Sequence, residues 1–136
     1  MRNINKIIIH TTATPEGRDV SIEDVRDWHV NGNGWFDVGY HFLVRLDGTI
    51  ETGRDISQIG AHCIGHNKYS IAICYVGGMN KKNTKPKDTR TDEQKESLRV
   101  LIDKITKKFP DVEILGHRDL NPKKACPCFD VAKEKY

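Results

Sequence analysis

Histidine and cysteine are the residues whose placement in this chain could do chemistry. His10 ends the apolar run KIIIH, and His117 follows the apolar run VEIL after a single glycine. Cys126 comes nine residues after His117, within the stretch GHRDLNPKKACPCFD. If the two apolar runs are neighbouring strands of the same direction, both imidazoles reach one rim of a sheet. The intervening loop is long enough to return a thiolate to that rim. Two imidazoles and one thiolate suit zinc, which accepts nitrogen and sulfur donors in tetrahedral geometry. Three protein ligands leave the fourth position to water, the pattern of a catalytic site rather than a structural one. Spacing alone leaves open a plainer alternative: two surface histidines at strand ends and an unrelated thiol.

Cys128 adds two further readings. A closed site of His10, His117, Cys126 and Cys128 would be structural, but C-P-C is one residue tighter than the usual C-x2-C knuckle and Pro127 stiffens it. In an extended segment the two thiols would share a side, yet a bond between them is disfavoured on geometry.

The elements that must position these residues follow from periodicity. KIIIH is a short buried strand. TTATPEGRDV is a loop, broken by Pro15 and Gly17. Ser21 and Asp24 have the spacing of a helix start, with Ile22, Val25 and Trp28 on one helical face and an end near Gly32. Asp47-Gly48 between two alternating runs predicts a hairpin within VGYHFLVRLDGTIETG. Strict alternation places Tyr40, Phe42 and Val44 on one face, and His41, Leu43 and Arg45 on the other. SIAICYV, Ser70 to Val76, is apolar on both faces and predicts a central strand. Thr91 and Gln94 form a capping box. Leu98, Leu101, Ile102, Ile105 and Phe109 then mark an amphipathic helix of about five turns. Val112 to Leu115 is the last strand, ahead of a short C-terminal helix. This order predicts an α/β fold, a mixed central β-sheet flanked by helices, in a single domain over residues 1–136.

Composition narrows the function classes. The 136 residues are 37% hydrophobic and 30% charged, which suits a folded domain and argues against disorder. A net charge of +3 is compatible with an anionic polymer substrate, and a few surplus surface lysines explain it as well. Much of the excess lies in KKNTKPK, Lys81 to Lys87, which reads as a flexible loop. Too few aromatics are interleaved with it to argue for nucleic acid. No run approaches the ~18 apolar residues of a membrane span. The N-terminus does not read as a secretory signal. The chain is therefore expected to be synthesised in the cytoplasm, where metal or catalytic use of cysteine outweighs disulfides.

The residues also carry a resemblance. The stretches IIIHTTAT, GWFDVGYHFLVRLDGTIETGRD, GAHCIGHNKYSIAICYVGG, LGHRDL and KKACPCFD occur in family order and cover nearly the whole chain. They resemble the zinc-dependent N-acetylmuramoyl-L-alanine amidases of the phage-lysozyme type, in the peptidoglycan recognition protein superfamily. The resemblance implies the mixed-sheet amidase fold of that superfamily and one zinc ion in a surface groove. It implies hydrolysis of the amide between the lactyl group of N-acetylmuramic acid and L-alanine in peptidoglycan. Carried over residue by residue, it implies His10, His117 and Cys126 as zinc ligands, and Tyr40 and Lys124 as catalytic residues. It also implies His29, His62 and Asn67 as contacts to the muramyl peptide. Cys128 stands where the phage branch tends to have serine, and it receives no role.

Each of these residues has a plainer reading taken singly. Tyr40 is then a half-buried strand aromatic, Lys124 a surface lysine and His29 a helix histidine, while His62 and Asn67 cap a loop. His41, opposite Tyr40, reads as structural. Two other functions compete with the enzyme: a non-catalytic peptidoglycan-binding module, and a regulator that binds another protein. The first typically lacks the cysteine ligand, which this chain keeps. The amidase reading expects a monomer with no nucleic-acid partner and no membrane insertion. It acts on the cell wall after release of the phage or prophage type, or after delivery by another route.

Overall fold

Ile7, Ile8 and Ile9 have no exposed surface. A strand apolar on both faces can only be central, and β1 (Lys6–Thr11) lies between two parallel neighbours. The remaining elements follow in chain order across residues 2–136, which the computed structural model describes. They are β2 (Thr14–Pro15), α1 (Ile22–Asp27), a π-helical turn (Trp28–Gly32), β3 (Phe42–Val44), β4 (Ile50–Thr52), β5 (Ser70–Tyr75), β6 (Gly78–Met79), α2 (Asp92–Lys108), β7 (Glu113–Gly116), α3 (His117–Leu120) and α4 (Val131–Glu134). The main sheet has the order β4-β3-β5-β1-β7, mixed because only β4 runs antiparallel to its neighbour. β2 and β6 pair in a separate two-stranded ribbon.

Alternation along β1 and β5 sends side chains to two layers. Ile7, Ile9, Ile71, Ile73 and Tyr75 pack with Leu98, Leu101, Ile102 and Ile105 of α2. On the other face, Leu43, Cys74 and Val76 pack with Val20, Ile22 and Val25 at α1. Fully burying each such aliphatic side chain contributes roughly 1.5–3 kcal/mol. Both capping boxes form, Ser21 with Asp24 and Thr91 with Gln94. Gln94 is itself buried, and its amide donates to the Val44 and Val76 carbonyls, tying α2 to the ends of β3 and β5.

Three local expectations fail for physical reasons. Trp28 does not share the buried face of Ile22 and Val25, because the helix widens into the π turn there and leaves it 36% exposed. Tyr40 does not lie with Phe42 and Val44. The chain bends ahead of β3, so period-two alternation starts only at Phe42, and Tyr40 packs with Leu43 on the α1 side. The lysine-rich segment is a closed turn rather than a loose loop. Asn80 receives the Thr84 amide on its side-chain oxygen at 2.8 Å and donates its own amide to the Lys85 carbonyl at 2.9 Å.

Candidate metal centre and adjoining groove

The register of the central strands decides whether the two distant histidines meet. Ile9 of β1 is level with Gly116 of β7, so His10 and His117 leave adjacent parallel strands at the same rim. Their ring centroids lie 4.6 Å apart. His117 opens α3, a turn that sequence reading took as loop. It is closed by the Gly116 amide donating to the Asp119 carboxylate at 2.8 Å.

Cys126 is returned to the rim by two hydrogen bonds to main-chain carbonyls. The Arg118 amide donates to the Cys126 carbonyl at 2.8 Å, and the Tyr75 hydroxyl donates to the Pro127 carbonyl at 2.7 Å. Gly116 is required by this approach, since a Cβ there would stand 2.7 Å from Cδ of Pro127. The Thr11 amide points at the Cys126 sulfur from 3.1 Å. One ligand atom each of His10, His117 and Cys126 then falls within 4.8 Å of the other two. Tetrahedral bonds of about 2.0–2.3 Å bring ligand atoms to about 3.3–3.8 Å, so the cluster needs only a small closing movement to hold an ion.

The protonation of the donors fits that use. Burial, reinforced by His62 and His117, holds His10 well below the ordinary histidine range. Burial and the neighbouring Lys124 ammonium lower His117 as well. Both are therefore neutral imidazoles, as metal ligation requires. Burial pushes the Cys126 thiol up to about 12, against the Thr11 amide. A divalent cation reverses this balance, because a coordinating thiol gives up its proton.

Cys128 stays out of the cluster. Its φ of 70° turns the chain away from extended geometry, and its thiol reaches the Gly78 carbonyl at 3.3 Å. The two thiols thus do not share a side, and all four cysteines are free. Among the described residues the centre has three donors and no fourth protein ligand.

A groove of about 400 Å³ opens beside the cluster, with Trp35, His62, Ile64, Asn67, His117 and Lys124 among its walls. Lys124 is exposed at its edge. Tyr40 is half-buried with its ring 5.2 Å from His10. Burial, with the Cys74 and Cys126 thiols close by, raises its hydroxyl well above the usual tyrosine range and keeps it protonated. His29 stands on the far side of Tyr40, ring to ring at 5.4 Å, and its Nδ1 accepts the Gly39 amide at 2.8 Å. Asn67 is partly committed to the loop: its side-chain oxygen receives the His62 and Cys63 amides at 3.0 and 2.9 Å. Its amide nitrogen is left for the groove. His62 touches the metal cluster directly, with Nδ1 2.9 Å from His10 Nε2. Burial and nearby positive groups pull it down to about 3. His41 is fully buried and holds the Ala72 amide and the Gln58 carbonyl, a structural placement. Sequence reading did not single out Trp35 or Ile64 as groove walls. Ile64 is 98% exposed, and an isoleucine amid the polar residues of AHCIGHN was the available signal.

A mixed α/β sheet carries a His-His-Cys cluster at its rim and a groove alongside, an arrangement suited to metal-assisted hydrolysis. The family model described as N-acetylmuramoyl-L-alanine amidase matches residues 1–129, and the chain belongs to that family. It is 39% identical over 129 residues to an endolysin of Klebsiella phage KP32, covering 95% of this chain and 83% of that protein. It is also 39% identical to the endolysin of Escherichia phage T7, covering 93% and 82%. Among solved structures, the N-acetylmuramoyl-L-alanine amidase LysC from Clostridium intestinale matches with a TM-score of 0.81 at 27% identity, over 98% of this chain and 83% of that one. No helix among the described residues is long and apolar enough to cross a membrane.

Proposed function

We propose that this amidase is zinc-dependent and cleaves the amide joining the muramic acid lactyl group to L-alanine in peptidoglycan. The observation that carries this reading is the convergence of His10, His117 and Cys126 at the edge of the groove. The phage relatives, both endolysins, support the same substrate. Two neutral imidazoles and one thiolate would hold the ion at net charge +1, and three ligands leave a position for water. When bound, zinc supplies Lewis acidity and lowers the pKa of water towards neutrality.

The chain's own groups supply the rest. The exposed Lys124 ammonium, on the groove wall beside His117, is the donor for the scissile carbonyl oxygen as negative charge develops there. Tyr40 holds a proton on its hydroxyl oxygen throughout the working pH range, and can direct it towards the leaving amine nitrogen. Trp35 and Ile64 offer apolar walls that exclude water from the bound stem. The Asn67 amide lines the same space and His29 stands outside it, packed against the Trp35 wall at 4.7 Å; both are assigned to the muramyl peptide in this reading. Residues 1–136 act as one monomeric catalytic unit, delivered to the wall through a membrane lesion or by a secretion route.

Digestion of purified peptidoglycan tests this directly. Zinc-loaded protein is expected to expose new L-alanine amino termini, and a chelator is expected to stop the release. Binding without new amino groups would leave only a recognition module, and new reducing sugar ends would show a glycosidase.

A further inference from the structure

Small side chains on one face of the sheet leave room for a second imidazole behind the metal centre. His10 is level with Cys74 across the β1–β5 ladder, and Ala72 and Ser70 follow at two-residue steps on the same face. His62 bridges this strip. Its Nδ1 lies 2.9 Å from His10 Nε2, and its Nε2 lies 3.1 Å from the Ser70 hydroxyl oxygen.

The direction of these bonds follows from an oxygen that can only accept. The His66 main-chain carbonyl takes the single Ser70 hydroxyl proton at 2.7 Å. Ser70 then presents only lone pairs to His62, so His62 Nε2 carries the proton and donates it. In a neutral ring the other nitrogen is bare, and His62 Nδ1 accepts from His10 Nε2–H. His10 is left with one unprotonated nitrogen, Nδ1.

We propose that His62 is a positioning residue: with Ser70 and the His66 carbonyl, it fixes His10 as the Nε2–H tautomer and commits His10 Nδ1 to the metal. This rests on the zinc reading above and deepens it. It moves His62 from the substrate wall to the support of a ligand. Metal-bound histidines ordinarily give their second N–H to a carboxylate, a carbonyl or water. A neutral imidazole in that place orients the ring without adding negative charge, so the thiolate remains the one anionic group at the centre. His62 itself stands outside the ligating cluster of His10, His117 and Cys126.

The test is zinc affinity of the full chain, measured without substrate by competition against a chromogenic chelator. His62→Leu should weaken zinc binding about 10–100-fold. His62→Asn, whose side-chain oxygen can stand where Nδ1 stood, should recover most of the loss, and Ser70→Ala should lose part of it. Long-range proton–nitrogen spectra of the zinc-loaded wild-type protein should show His10 protonated at Nε2 and metal-bound at Nδ1. Those spectra need no variant, so a misfolded His62→Leu does not protect the idea. His10 protonated at Nδ1 overturns it, as does wild-type zinc affinity in both His62→Leu and Ser70→Ala. A raised KM with unchanged zinc affinity also overturns it and returns His62 to the substrate. A protein that binds no zinc overturns the proposed function as well, whereas ligation through His10 Nε2 overturns this inference alone.

Discussion

The main-chain amide of Thr11 points at the sulfur of Cys126 from 3.1 Å, so the residue after the first candidate ligand braces the third. The Arg118 amide, one residue past His117, holds the Cys126 carbonyl at 2.8 Å. The three candidate donors are thus tied to one another through backbone hydrogen bonds. Such preorganisation lowers the cost of assembling a site on binding.

Cys126→Ser should remove stoichiometric zinc and reduce amide hydrolysis by at least about 10²-fold, because a neutral hydroxyl replaces the one anionic donor. Metal content by emission spectrometry alongside the digestion assay reads both. Full activity with zinc retained would refute the ligand set.

Lys124→Met and Tyr40→Phe should leave zinc content intact. The first should lower kcat about 10²–10³-fold through loss of a charged donor. The second should lower it about 10²–10⁴-fold if the phenol moves a proton in the rate-limiting step. Steady-state kinetics on a defined muramyl peptide, with zinc content measured alongside, reads both losses.

Gly116→Ala should destabilise the fold by about 1–3 kcal/mol. Its new methyl group would meet the Pro127 ring at 2.7 Å, a closed ring that cannot swing aside, and Val131 at 3.2 Å. Because Pro127 follows the candidate ligand Cys126, zinc affinity should fall with Tm. Calorimetry with and without zinc distinguishes the two effects.

His41 should make the fold acid-sensitive. Burial, opposed by its bond to the Gln58 carbonyl and assisted by Arg2 and Arg54, lowers it to about 4; Asp55 pulls weakly the other way, and His62 also faces it. Its unfolded value is about 6.5. The contribution is therefore fully present above about pH 6.5 and is lost as pH falls towards 4, on the order of 3 kcal/mol. In His41→Asn the slope of unfolding free energy against pH should shrink across that window. An unchanged slope would show that the unfolded chain gains no extra proton at this residue.

The legible parts were those written in local chemistry. The capping residues Ser21 and Thr91, the Asp47-Gly48 turn and the apolar runs of β1 and β5 all form where spacing placed them. His10 and His117 could be placed at strand ends, but their meeting depends on β1 lying beside β7 in a parallel register. Pairing between strands so far apart in the chain leaves no mark in either segment. Alternation misplaced Tyr40 because it assumes a straight strand, and the chain bends just before Phe42. Cys128 was unreadable for a similar reason, since its left-handed φ of 70° is set by the surrounding loop. The bond between His62 and His10 required two side chains from different segments and lay beyond any sequence pattern.

The two histidines of the centre lie more than a hundred residues apart, one on the central strand and one just past the last strand added to that side of the sheet. The centre therefore exists only in a chain whose final segment has docked. An ion held there stabilises the native state by RT ln(1 + [L]/Kd) and does nothing for a partly folded one. Metal binding and docking of the segment that carries Cys126 would then be one equilibrium seen from two ends. A chain in which Cys126 has not yet returned to the rim carries only two of the three donors, however complete the rest of the sheet.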